Sequence, residues 1–419
     1  MSFAMAFGGG EDDMAYAVRQ TSDGGYIAGG GQWSFGAGEK DWMILKLNAD
    51  GSLQWRKIIG GPDIDNIQSI LQTEDGGYMV AGYTLSFGQG EYDMLVAKLS
   101  ADGAVKWSKT YGGPKIEYAK SIKSTPDGGY VVAGTTGSFG SGAHDVWILK
   151  IAEDGSIDWQ KTYGGANVEN TYSISVTQDG GYFIAGQTNT LDNAGVNIWV
   201  MRLDSGGNVI WDGVYGGSKS DGTHSAATTS DGGFIVAGDT NSYGAGGHDF
   251  WVIKLSGAGT VEWAKAYGGS GDEYPYAVIQ AEDGGFVISG ETTSFGAGAK
   301  DAWVIKLGAD GAILWQWAFG GAGDDLAHGY SIEQTSDNGY VLAAQTASFG
   351  AGASDIWILK LFEDGSIPSM GAQTSASAVD TDIAGSPGGI TVVDTFAEPY
   401  DVSLTGTEGE VVSTRQAPE

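Results

Sequence analysis

Apolar residues in this chain come in short runs that stop well before helical length. In residues 117–164 the runs are YAKSIKS, YVVAGTT, VWILKI and IDWQKT, and turn chemistry separates them. Four short runs between turns read as four β-strands. The first and second are joined by TPDGGY, where Gly128 can take the positive φ of a bulged type I hairpin and Asp127 can bond its own turn. AEDGS joins the third and fourth in the same way. A helical reading fails, because Gly makes up 72 of 419 residues and no apolar stretch between Gly-containing turns is long enough for a typical helix.

The unit repeats. Asp-Gly-Gly begins at Asp23, Asp75, Asp127, Asp179, Asp231 and Asp283, 52 residues apart each time, and Asp337-Asn338-Gly339 follows 54 later. An aromatic residue or Ile before Gly-Gly recurs at Phe7, Ile59, Tyr111, Tyr163, Tyr215, Tyr267 and Phe319, still 52 apart at the last step. The two extra residues therefore fall between Phe319 and Asp337. A fixed period in this range marks units that bury their faces by stacking on neighbours. Four antiparallel strands repeated seven times predict an all-β, seven-bladed β-propeller over residues 1–369, with residues 370–419 as an acidic tail.

The ends of the repeat say how the ring closes. The fourth strand carries Trp55, Trp107, Trp159, Trp211, Trp263 and Trp315, and its seventh counterpart is Phe3, at the start of the chain. The last unit decays after EDGSIPSMG, where Pro368 removes a ladder donor. The N-terminal strand is thus expected to complete the blade built from residues 326–362, which leaves no open edge at the seam.

The segments LSADGAVKWSKTYGGPKIEYAKSI and DGGYVVAGTTGSFGSGAHDVWILK resemble the seven-bladed propeller repeat of many secreted bacterial and archaeal proteins, over about residues 2–369. The resemblance implies an extracellular or envelope location and a binding or scaffolding role, and that family has no single activity to transfer. A weaker similarity to quinoprotein-type repeats lies in the DG…W segment; this chain has seven units and no Cys.

Charge narrows the partners. With 52 acidic and 21 basic residues, a net charge of −31 argues against nucleic acid and anionic membrane surfaces and favours cations or basic partners. No apolar run reaches membrane-spanning length, and MSFAMAFGGG lacks the basic start and apolar core of a signal peptide, so a secreted form would carry its leader outside this sequence. The tail, rich in Ser, Thr, Ala and Asp, reads either as a linker or, from the alternation in GITVVDT and YDVSLTGTEGEVVSTR, as short strands docking on a propeller, its own or a neighbour's. The second case would allow self-association through residues 370–419.

Loops before the first strand and between the second and third share one face, the top; the tight hairpins share the bottom. An acid follows each aromatic-Gly start: Asp13, Asp65, Glu117, Glu169, Asp221, Glu273 and Asp325. These seven carboxylates either hold Ca²⁺ at the channel mouth or anchor the Gly-rich SFGAG-type loops by accepting their N–H groups. A second set opens the third strand at Asp41, Asp93, Asp145, Asp249, Asp301 and Asp355, broken by Asn197. Lys46, Lys98, Lys150, Arg202, Lys254, Lys306 and Lys360 are expected to pair with the hairpin acids at the bottom. The four His residues, His144, His224, His248 and His328, are taken to occupy different repeat positions in non-adjacent units, which argues against a His-based metal centre.

What varies between copies is the better guide to a ligand. One variable position on the innermost strand holds Tyr16, Gln68, Lys120, Tyr172, His224, Tyr276 and Tyr330; the loop tips include Trp33, Asn189 and Asn241. No Ser-His-Asp set or phosphate loop stands out. The expected function is a non-catalytic extracellular or cell-surface scaffold that binds protein or carbohydrate, without a cofactor unless Ca²⁺ is one. A fibre or surface-layer subunit is the second reading, and an enzyme at the channel mouth the third.

Overall fold

The computed structural model describes residues 1–189, 195–368 and 370–381, and four tail strands at 391–394, 400–401, 406–407 and 412–415. Among them every regular element is a β-strand. Seven four-stranded antiparallel sheets follow in order: blade I (13–59), II (65–111), III (117–164), IV (169–215), V (221–268), VI (273–319) and VII (325–361). The chain is a seven-bladed β-propeller.

Blade VII takes its fourth strand from Phe3–Gly8, in register Phe3↔Lys360 to Phe7↔Ile356. Phe3 stands where blade I has Trp55: its ring meets Tyr26 edge-on at 5.6 Å, as Trp55 meets Tyr78 at 6.0 Å. The closing strand seals both sides of the seam. Phe3, Met5 and Phe7 pack toward blade I with Val18, Ala28 and Met43, while Ala4 and Ala6 join the core shared with blade VI.

The third strands, such as Asp145–Ile151, are buried along their whole length, because each is covered by a sheet on both faces. Trp42, Trp147, Trp251, Trp303 and Trp357 fill the space between sheets. On the bottom, each first hairpin closes as in blade III, where Thr125 N–H bonds Gly129 O at 2.9 Å and Gly128 sits at φ 85°. In blade VII Asn338 holds this left-handed position at φ 63°, the one non-Gly residue to do so among the described residues. All seven third-strand cations pair with these hairpin acids, from Arg202–Asp179 at 2.5 Å to Lys98–Asp75 at 3.4 Å.

The tail pairs in cis. Because Phe3–Gly8 occupies the fourth-strand slot of blade VII, the chain leaves at Ile367 and runs backward around the rim. Ala372–Gln373 adds to blade VI, Ser377–Asp380 to V, Thr391–Asp394 to III, Tyr400–Asp401 to II, Gly406–Thr407 to I, and Val412–Arg415 to the N-terminal strand. Each forms an antiparallel fifth strand on an outer edge that would otherwise expose unpaired backbone groups. Two buried indoles gain acceptors from this belt: Trp303 Nε1 donates to Thr374 Oγ1 at 3.0 Å and Trp251 Nε1 to Thr381 Oγ1 at 3.1 Å.

Candidate binding site at the channel mouth

The variable residues of the innermost strands are aimed by their backbone. In blades I to VI the first strand slips register by one residue, between Ala15/Ala17, Ile67/Ser69, Ala119/Ser121, Thr171/Ser173, Thr223/Ser225 and Pro275/Ala277. The unpaired residue at each bulge is Tyr16, Gln68, Lys120, Tyr172, His224 or Tyr276. A bulge frees one side chain from the pleat and re-aims it. In blade VII the two-residue insertion breaks the strand between Leu326 and Ile332, and Tyr330 takes the equivalent place.

These side chains meet in the channel. Tyr330 stacks on Tyr16 at 6.4 Å and lies 6.5 Å from Tyr172 and 5.9 Å from Tyr276; His224 lies 5.6 Å from Tyr172 and 5.1 Å from Tyr276. Lys120 Nζ reaches Gln68 Oε1 at 3.5 Å. Of the loop-tip residues, Trp33 lies under Lys40 Nζ at 4.1 Å, and Asn241 Nδ2 contacts His248 Nε2 at 3.0 Å. Asn189 instead accepts Val168 N–H at 3.1 Å, tying the loop after the second strand of blade IV to the loop before its first, and stands outside this cluster.

A second ring, near the end of each second strand, escapes a reading of the first strand alone. It holds Gly31, Tyr83, Thr135, Gln187, Asp239, Glu291 and Gln345. Only blades V and VI carry carboxylates there, side by side. Asp239 accepts from His224 Nε2 at 2.9 Å and His248 Nδ1 at 2.7 Å. Glu291 contacts Lys300 Nζ at 2.9 Å and His328 Nε2 at 2.7 Å. Burial raises both pKa values, but His224 and His248 outweigh it and hold Asp239 well below the usual carboxylate range. His328 and Lys300 likewise hold Glu291 low. The Asp239 hydrogen bond raises His248. Both carboxylates are therefore ions at neutral pH, orienting half-exposed imidazole and ammonium groups.

The expected scatter of the histidines is corrected here. His144 and His248 occupy the same repeat position, and Tyr276 bridges His224 and His328, the latter at 4.5 Å between ring centroids. His328 lies in the insertion of blade VII, so counting by 52 misplaces it. Among the described residues no group of three or more acidic or His side chains is arranged to hold a metal ion.

The seven repeated acids lie at the blade junctions and are buried, at most 2% exposed. Asp13, Asp65, Glu117, Glu169, Asp221, Glu273 and Asp325 each accept the N–H of the second glycine of the Gly-Gly marker, at 2.6–2.8 Å. Asp13, Asp65, Asp221 and Asp325 also take the loop serine hydroxyl, as from Ser86 Oγ at 2.8 Å. The second set anchors the SFGAG-type loop itself, as in Gly142 N–H to Asp145 at 3.0 Å. The two sets meet at the first glycine of each marker: a Cβ on Gly112 would come 1.8 Å from Asp93 Oδ1 and 2.8 Å from Glu117 Oε2. That crowding accounts for the Gly.

Crowding also couples these carboxylates to pH. Burial, with Glu117 adding, pushes Asp93 up to about 6; Asp41, Asp145, Asp249, Asp301 and Asp355 are raised in the same way. A folded pKa above the unfolded one means that the charged form is disfavoured in the fold, so stability rises as pH falls from about 7 to 5. At the bottom, Thr125 and Lys150 pull Asp127 down to about 2, and stability of that kind is lost below about pH 4. The melting temperature should peak near pH 5, several degrees above its value at pH 7. A monotonic fall from pH 7 to 5 in a thermal scan would contradict this.

No protein-family description matches the chain, and no curated protein matches it either. Two solved structures are similar in shape. One is a protein of unknown function from Bacteroides caccae, 9% identical, with a TM-score of 0.39 over 70% of this chain and 93% of that one. The other is Sqt1 from Chaetomium thermophilum, 12% identical, with a TM-score of 0.46 over 87% of this chain and all of the other.

Proposed function

We propose that this propeller is a non-catalytic binding module of the cell surface or extracellular space that takes carbohydrate at the channel mouth over blades V to VII. The observation that carries it is the adjacent pair Asp239 and Glu291. They are the only acids in a ring of seven equivalent positions, and they orient His224, His248, His328 and Lys300 around Tyr276. Sugars are recognised by an apolar ring face beside a few fixed hydrogen-bonding groups, and Tyr274 and Tyr276 with the imidazoles offer both. Because the two carboxylates are held as ions, they serve as anchors rather than proton donors. The location rests on the repeat resemblance and the net charge of −31, which suits an exposed, soluble surface. A glycan array probed with the full chain should give a restricted set of hits that Tyr276→Ala removes. No retained glycan, or hits indifferent to Tyr276→Ala, would refute the carbohydrate reading.

The belt favours a second reading, assembly by strand exchange, since the same edge pairing can form between copies. In this chain the described tail strands are taken up by their own blades, which favours the monomer. Oligomers that vanish on removal of residues 370–419, measured by light scattering, would reverse that order.

A further inference from the structure

The lower channel has the opposite charge to the rest of the molecule. In a chain of net charge −31, the cavity below the tyrosines is lined by Arg19, Lys120 and Lys123 and by no Asp or Glu. Glu333, the acid that acts on Lys123, accepts Gln20 N–H at 2.6 Å and makes no ion pair with that lysine among the described residues. Lys123 Nζ has no hydrogen-bond or ion-pair partner among the described residues, and Lys120 has only the 3.5 Å contact with Gln68 and the Tyr118 ring at 5.9 Å. Burial lowers Lys120 to about 8 and Lys123 to about 7, with Arg19 adding to the second. Confining cations away from water without an anion is costly. The fold does not require these residues, since the positions matching Lys120 hold Tyr, Gln or His and those matching Lys123 include Leu71, Ser175 and Ala227.

The same cavity is rich in hydroxyls. The residue after each bulge is Ala17, Ser69, Ser121, Ser173, Ser225, Ala277 or Ser331. Ser69 and Ser225 accept an N–H from the next blade, Ile122 at 3.4 Å and Val278 at 3.2 Å, which leaves their hydroxyl protons free to donate. Ser121 has no partner among the described residues. The cavity volume is about 120 Å³. At about 30 Å³ per water it has room for a tetrahedral anion with one or two waters, and past Arg19 and Lys123 it adjoins a wider space of about 320 Å³.

We propose that the channel binds one small multiply charged oxyanion, of the phosphate or sulfate class, between Lys120, Lys123 and the seryl hydroxyls beside them. Positive side chains with hydroxyl donors make charge-assisted hydrogen bonds that a monovalent halide cannot fully match. The site lies below the carbohydrate site and shares His224 with it as a common wall, and it stands on Lys120, Lys123 and the serines, which the carbohydrate reading does not use.

The test is isothermal titration calorimetry of the full chain with sodium phosphate and with sodium sulfate, in chloride buffer at constant ionic strength. The expected result is one saturable site, weakened about tenfold or more by Lys123→Met. In chloride alone that variant should melt no lower than the parent, because it removes an uncompensated charge. Should it fail to fold, Ser121→Ala must show the weakening instead. Exposed Lys106→Met should leave the affinity unchanged. No saturable heat from either anion up to about 10 mM, or unchanged affinity in the Lys123 and Ser121 variants, would overturn the proposal.

Discussion

Removal of residues 1–8 is expected to destabilise the whole ring, not merely to loosen blade VII. The segment places Phe3, Met5 and Phe7 in the core at 3, 6 and 0% exposure. Burying side chains of that size contributes about 1.5–3 kcal/mol each, so three of them approach the whole stability of a typical domain. Its loss also bares one edge of Asp355–Leu361 and leaves Val412–Arg415 without its partner strand. In a ring each blade is supported by two neighbours, so a gap at the seam reaches blades I and VI directly. Calorimetry should show either no transition or a melting temperature lower by more than about 10 °C. Adding a peptide of residues 1–8 should restore part of it. A truncated chain melting within a few degrees of the parent would contradict the clasp.

The second large effect is expected at Glu291. Its carboxylate is 1% exposed and orients both Lys300 and His328, so Glu291→Gln removes the charge while keeping the shape. Removing the charge from a buried, hydrogen-bonded carboxylate costs about 2–4 kcal/mol of interaction, which should weaken glycan binding by a hundredfold or so. Asp239→Asn should act similarly through His224 and His248. Glu333→Gln, on the Ile332–Gln334 strand of blade VII, is the control and should leave glycan affinity unaltered. The measurement is the affinity for a glycan retained on the array, determined by calorimetry for the three variants with melting curves recorded alongside. Equal affinities for Glu291→Gln and the parent would remove the carboxylates from the site.

Much of this architecture was legible because it repeats. The 52-residue period, the hairpin Asp-Gly-Gly and the pairing of Lys46 to Lys360 with the hairpin acids all follow from positions that every blade needs for the same physical reason. Phe3 could be placed in the Trp column because the seam must close. Thr391–Asp394 and Tyr400–Asp401 were visible in the alternation of ITVVDTF and YDVSL, but Ala372–Gln373 and Ser377–Asp380, which precede those motifs, were not, nor was the order of the tail strands. Walking backward around the rim is a consequence of where the chain exits blade VII, and no local pattern encodes that.

The candidate site was harder to read. The bulge positions stood out because they vary where the rest does not, yet which of them meet depends on neighbouring blades. Asp239 and Glu291 were missed because acids are abundant in this chain, and only the second-strand register shows that the other five positions hold none. The histidines were read as scattered, although His144 and His248 share one repeat position two periods apart.

The site can be tested directly on its histidines, of which the chain has four. With ring-labelled histidine, titration of the full chain with an array-selected glycan should shift the imidazole resonances of His224, His248 and His328, assigned by single substitution, and leave His144 of blade III in place. Shifts confined to His144, or no imidazole shift at saturating glycan, would contradict binding at the mouth over blades V to VII.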